Sequence, residues 1–155
     1  MYLKCEGGTS KAAHGSLKSH MAILKRTVAS MVGKAPKFVV LVVEDEAMLR
    51  VLAADLVEDA GFSAIVAQNA DEAISILESR SDIDLLFTDI HMPGSMDGLK
   101  LAHAVRNRWP PIKIVIVSGK SKLTDAELPT DSRFLRKPYL AEDLVHELRS
   151  LVGAE

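Results

Sequence analysis

The chain has 155 residues, 48% of them hydrophobic, one cysteine and a formal net charge of −2. That is enough apolar material for one domain with its own core, whereas Cys5 alone excludes an internal disulfide, no apolar run approaches the roughly 20 residues of a membrane span, and Met1 to Ser10 carries Lys4, Glu6 and two glycines where a secretory segment needs an apolar stretch. Residues 1–37 hold seven Lys/Arg against one acid and residues 38–155 hold twelve against twenty, so the acidic body argues against direct DNA binding; the lone cysteine, the short apolar runs and the lack of a secretory segment lead to the expectation of a cytoplasmic protein with no transmembrane segment.

Residues 1–16, rich in Gly, Ser, Lys and Ala, are expected to hold no stable structure. Leu17 to Val32 is weakly amphipathic, with Met21, Leu24, Val28 and Met31 near helical spacing. It reads either as a short helix or as a leader ahead of a translation start at Met21 or Met31. The basic extension over 1–37 is thereby set apart from a domain over 38–153.

From Phe38 onward the pattern alternates. Strands are predicted at 38–43, 63–67, 84–88, 112–117 and 133–136, and helices at 46–60, 70–79, 97–108 and 140–152. Met48, Leu49, Leu52, Leu56 and Val57 share one face of the first helix, and Gly61 stops it. Asn69 is the expected N-cap of the second helix, whose buried stripe is Ala73, Ile74 and Leu77. Strands one, three and four are nearly continuous in Val, Ile and Leu, as strands covered by helices on both faces are. Right-handed crossovers then give a five-stranded, doubly wound parallel sheet. A further helix must fit between Lys120 and Ser132. It has only Leu123, Ala126 and Leu128 as apolar anchors, and Pro129 should end it near Leu128, so it is expected to be short. Trp109-Pro110-Pro111 reads as a rigid turn into strand four.

Four strands end in residues with chemistry to offer. Glu44 and Asp45 follow FVVLVV, Asp89 follows DLLFT, Ser118 follows IKIVIV and Lys137 follows RFLR. In a parallel α/β sheet, ligands collect outside the carboxyl ends of the strands, so one rim gathers three carboxylates, a hydroxyl and an ammonium. Three crowded acids repel one another unless a cation sits among them. A hard ion such as Mg²⁺ takes one or two carboxylates plus phosphate oxygens. The set reads as a metal-assisted phosphate site with one carboxylate left over as nucleophile.

The pieces VVEDE (Val42 to Glu46), TDIHMPG (Thr88 to Gly94) with Asp97-Gly98 beyond, VSGK (Val117 to Lys120) and RKPY (Arg136 to Tyr139) resemble the receiver domain of two-component response regulators, over about Phe38 to Val152. The resemblance implies a flavodoxin-like (βα)5 fold with strand order 2-1-3-4-5, the fourth helix being the shortened one. That departure puts in doubt the family's usual output and dimerisation face, which this helix helps to form. The run Pro93 to Gly98 is also one residue longer than the commonest family form, a change of loop length that costs little entropy.

The resemblance further implies roles. Asp89 is the phosphoacceptor. Asp45 and Asp89 bind Mg²⁺, Glu44 holds it through water or by its longer reach, and the backbone carbonyl of His91 adds the remaining protein ligand. Lys137 pairs with Asp89 and then with the phosphoryl group, aimed by a cis Lys137–Pro138 bond. Ser118 donates its hydroxyl to the phosphoryl group, and its movement leaves space for the aromatic ring of Phe134. The side chains of His91 and Lys120 flank the path of attacking water and are expected to tune phosphate lifetime. The implied function is a single-domain response regulator that takes a phosphoryl group from a sensor histidine kinase or a histidine phosphotransfer protein, and acts on an unnamed downstream protein. Kinase pairing is expected to depend on Ala47, Met48 and Val51 of the first helix.

Three other readings compete. An aspartate-nucleophile phosphatase needs a second acid two residues after its nucleophile, where this chain has His91. A nucleotide-binding fold needs a Gly-rich phosphate loop after strand one, and none is present. A degenerate receiver that works by binding alone is opposed by all five chemical positions being filled.

Overall fold

The computed structural model describes residues 37–119 and 122–154. The order along the chain is β1 (Val39–Val43), α1 (Ala47–Asp59), β2 (Ser63–Ala67), α2 (Ala70–Ser79), β3 (Leu85–Asp89), α3 (Gly98–Arg108), β4 (Lys113–Ser118), β5 (Ser132–Arg136) and α4 (Ala141–Val152). The five strands form one sheet in the order β2-β1-β3-β4-β5, and every pair is parallel. The predicted helix over 17–32 lies outside the described residues. Among the described residues no helix is long and apolar enough to cross a membrane.

Alternation along each strand divides the core in two. Leu41, Val43, Leu86, Ile114 and Ile116 pack with Ala73, Leu77, Leu101 and Val105 of α2 and α3. Val40, Val42, Leu85, Phe87, Val115 and Val117 pack with Ala53, Val57, Leu144 and Leu148 of α1 and α4. Burial on both faces explains why the central strands are apolar between the exposed Lys113 that opens β4 and the polar residues at their carboxyl ends. β3 is buried throughout and ends in Thr88 and Asp89, so its polar groups fall at the carboxyl rim.

Local chemistry fixes the helix starts. Asn69 Oδ1 accepts from Glu72 N at 2.8 Å while Glu72 Oε2 accepts from Gln68 N, closing both ends of α2's first turn. Asp97 Oδ1 accepts from Lys100 N at 2.8 Å and caps α3. Gly61, at φ 95°, takes the left-handed conformation that ends the turn after α1.

One expectation needs correction. The β4–β5 connection holds no helix among its described residues. Thr124 N and Oγ1 both donate to Glu127 Oε2, and Glu127 N returns a bond to Thr124 O at 2.9 Å. This capping pattern makes one turn, and Pro129 then stops propagation by supplying no N–H and forbidding helical geometry before it. Leu123 and Leu128 still pack against the core, and His103 Nε2 meets Glu127 O at 2.8 Å, holding the turn to α3. In α1 the buried residues are Ala53 and Val57. Met48 and Leu52 remain 67% and 52% exposed, because the strip facing the sheet runs through Ala53, Leu56 and Val57.

Candidate functional site

Strand alternation selects which side chains meet at the rim. Asp89 continues the face of Leu85 and Phe87, Glu44 that of Val40 and Val42, and Lys137 that of Leu135. All three project on the α1/α4 side of the sheet. Ser118 and Phe134 fall on the opposite side with Ile114 and Ile116.

Lys137 arrives by register. Ser118 pairs with Arg136 at the end of β5, and Lys137 N extends the ladder by donating to Ser118 O at 3.0 Å. Its side chain then crosses to the end of β3. Lys137 Nζ lies 2.6 Å from Asp89 Oδ2 and 3.2 Å from Glu44 Oε2, and its peptide bond to Pro138 is cis.

Glu44 and Asp89 are both buried, whereas Asp45 beside them is exposed. Oxygens of the three carboxylates lie within 4.8 Å of one another. Glu44 Oε1 accepts from Glu46 N, and Asp89 Oδ1 accepts from His91 N, both at 3.2 Å. Burial pushes the Glu44 carboxyl above the usual carboxylate range. The Glu46 amide and the Lys137 ammonium pull the other way without overcoming it, and the Asp89 charge adds to the rise. For Lys137 burial works against the charge, but the bond to Asp89 and the two nearby carboxylates outweigh it and hold the ammonium above its ordinary value. Burial also raises the Tyr139 phenol, whose ring stands edge-on to Phe87 at 6.1 Å.

This donor set suits a small hard dication. It is all oxygen, comes from two adjacent strand ends, and carries more negative charge than the single ammonium balances. A depression of about 340 Å³ opens over it, lined by Glu44, Asp45, Asp89, His91 and Lys137 among others. An apolar groove of about 440 Å³ runs on from the same Glu44 and Lys137 along Leu49, Leu52 and Leu56 to Tyr139.

The structure thus brings Asp89, Glu44, Asp45 and Lys137 together. Ser118, buried at the end of β4, joins the rim through its backbone. His91 is exposed beside it and meets Asp89 through its amide. Phe134 lies half-buried below, in register with Ile116. Lys120 lies outside the described residues.

Sequence reasoning gave no role to two residues that hold this geometry. A Cβ on Gly98 would stand 1.6 Å from Asp89 O, so the start of α3 presses directly on the backbone of Asp89. Gly98 N also donates to Ile90 O at 2.8 Å. A glycine at a first helical position, where propensity disfavours it, was the available signal. Thr88 is the other residue, its buried Oγ1 donating to Asp89 O at 2.9 Å.

Comparison with known proteins identifies relatives with this arrangement of strands. The family model for the response regulator receiver domain matches residues 40–149. The chain is 34% identical over 110 residues to the nitrogen assimilation regulatory protein NtrX of Azorhizobium caulinodans, covering 68% of this chain and 24% of that protein. It is 31% identical over 118 residues to the response regulator receiver protein CpdR of Brucella abortus, covering 74% of this chain and 97% of that one. The chain therefore spans about a quarter of the first relative and nearly all of the second. A crystal structure of a response regulator receiver protein from Sinorhizobium medicae WSM419 superposes with a TM-score of 0.71 at 31% identity, covering 76% of this chain and 96% of that one.

Proposed function

The chain belongs to the response regulator receiver domain family, and from that premise we propose that it accepts a phosphoryl group on Asp89 and signals through the rearrangement that follows. The supporting observation is the contact of Lys137 Nζ with both Asp89 and Glu44 at 2.6 and 3.2 Å, beside Asp45. The receiver is taken as residues 38–153 and residues 1–37 as a basic extension.

An Asp89 carboxylate oxygen attacks phosphorus in line. The bond to the leaving group breaks, and its electron pair departs with the imidazole of a phosphohistidine donor or with a small acyl phosphate's carboxylate. Glu44, Asp45, Asp89 and the His91 carbonyl would hold Mg²⁺, which neutralises phosphoryl oxygens when bound. Lys137 exchanges one Asp89 oxygen for a phosphoryl oxygen and stays charged throughout. Ser118 donates its hydroxyl to another. Because Ser118 and Phe134 share a sheet face, displacement of Ser118 toward the rim leaves room for the ring on that face. His91 and Lys120 set how readily water reaches the acyl phosphate.

The donor is a sensor histidine kinase or a histidine phosphotransfer protein, docking over Met48, Val51 and the groove beside Glu44. The output is phosphorylation-dependent binding of a downstream protein, or onward transfer in a relay, in the cytoplasm. The coverage of 97% of the CpdR relative supports a stand-alone receiver. Treating the protein with acetyl phosphate, with and without Mg²⁺, tests the reading. A Mg²⁺-dependent, acid-stable and base-labile mass gain absent from Asp89→Asn is expected. Failure to label here and with a phosphorylated histidine kinase would leave a receiver that acts by binding alone.

A further inference from the structure

We infer that Arg50 is a positioning residue for the divalent-cation site, clamping the corner that carries Glu44 and Asp45; the inference rests on the phosphoacceptor reading above. Arg50 Nη1 donates to Glu44 O at 2.8 Å and to Asp45 O at 3.3 Å. One guanidinium nitrogen thus spans the carbonyls of both acids.

The placement works against the helix that carries it. Arg50 lies in the first turn of α1, where the positive end of the helix dipole disfavours a cation. That turn has no side-chain cap from Glu46 and no acidic residue. The corner is otherwise tied by Glu44 N donating to Ala67 O at 3.1 Å, by the bond from Glu46 N to Glu44 Oε1 and by Lys137 Nζ at Glu44 Oε2. None of these bonds reaches Asp45, the exposed member of the pair.

The choice of acceptor matters as much as the bond. A guanidinium on the carboxylates would compete with a metal ion for the same oxygens. Arg50 bonds the carbonyls instead, so the acidic oxygens stay available within 4.8 Å of one another.

Without the clamp, the backbone at Asp45 must be ordered when the ion binds, and the ordering cost falls on metal affinity. Residues that orient metal ligands from behind typically change affinity by about 10–100-fold. Chemistry at saturating ion should change far less, because Asp89 and Lys137 are untouched.

The test is calorimetric titration of the full chain with Mg²⁺ alone, in wild type, Arg50→Ala and Arg50→Lys, with Leu77→Ala as a destabilised control remote from the rim. Arg50→Ala is expected to weaken Mg²⁺ by roughly tenfold or more. Arg50→Lys, which keeps the charge on a shorter side chain with less reach to the two carbonyls, should lose an intermediate factor, and the control should bind as wild type does. Acetyl phosphate labelling at saturating Mg²⁺ should be nearly unchanged in both Arg50 variants. Should Arg50→Ala fail to fold, Arg50→Lys decides alone. Wild-type affinity in the Arg50 variants, or an equal loss in Leu77→Ala, overturns the clamp. A wild type that takes up no Mg²⁺ instead removes the cation reading on which the inference stands.

Discussion

Lys137 and Asp89 meet at 2.6 Å although the ends of β5 and β3 are separated by β4. The lysine side chain spans a full strand to do so, and it also reaches Glu44 beyond. One ammonium therefore serves two largely buried carboxylates.

Removing that ammonium leaves buried negative charge uncompensated. With the Lys137 side chain 27% exposed, solvent screens part of the effect, and Lys137→Met is expected to cost about 1–2 kcal/mol in metal-free protein. The lysine's folded pKa is raised, so its contribution is fully present below the unfolded lysine value and is lost as pH rises through the folded value. Urea melts of both proteins should therefore converge in strong alkali. Added Mg²⁺ should narrow the gap at neutral pH.

Glu44 has the opposite consequence. Its raised pKa means the fold favours the neutral acid, a contribution present below the unfolded carboxyl value and lost as pH rises through the folded one. Glu44→Gln is therefore expected to melt at a higher temperature than wild type at neutral pH without Mg²⁺. The advantage should disappear as pH falls through the carboxylate range. Thermal scans across that range check the sign, and saturating Mg²⁺ should reverse the order by stabilising wild type preferentially.

Gly98→Ala tests the contact behind the nucleophile. The added methyl would overlap Asp89 O, so either α3 or the end of β3 must shift. A loss of about 3 kcal/mol is expected, at the upper end for overpacking, together with slower acetyl phosphate labelling. Gly94→Ala offers the comparison, since nothing lies within 4 Å of its Cβ position. Its positive φ of 122° makes it strained but does not load Asp89.

His91→Ala should alter the decay of the phosphorylated protein while leaving its formation nearly intact. The side chain is exposed beside the rim, and its amide donates to Asp89 Oδ1 at 3.2 Å. Following loss of label after removal of acetyl phosphate measures the effect. Unchanged decay would remove His91 from the list of lifetime-tuning residues.

Much of the fold was legible because apolar strands between amphipathic helices admit few arrangements. VVLVV and KIVIVS could only be central strands, and the polar residues at their carboxyl ends, Glu44 and Asp45 after the first and Ser118 closing the second, marked the rim. What the sequence hid were contacts between segments far apart in the chain. The approach of Gly98 to Asp89 O depends on how α3 leaves the sheet, which no local pattern encodes. Helical spacing likewise identified the apolar face of α1 but not which strip of it the sheet covers, and Met48 and Leu52 stay exposed. The helix expected between β4 and β5 was half visible as a short one, since Pro129 and the few anchors limit it, while the capping by Glu127 that leaves one turn among the described residues needed the structure.

The central claim is that Asp89 itself carries the phosphoryl group. Borohydride reduction converts an aspartyl phosphate to homoserine, and peptide mass mapping then locates it. After acetyl phosphate treatment with Mg²⁺, homoserine is expected at residue 89 alone, and nowhere when Mg²⁺ is withheld. Reduction at Asp45 or another acid, or labelling that ignores Mg²⁺, would contradict the account.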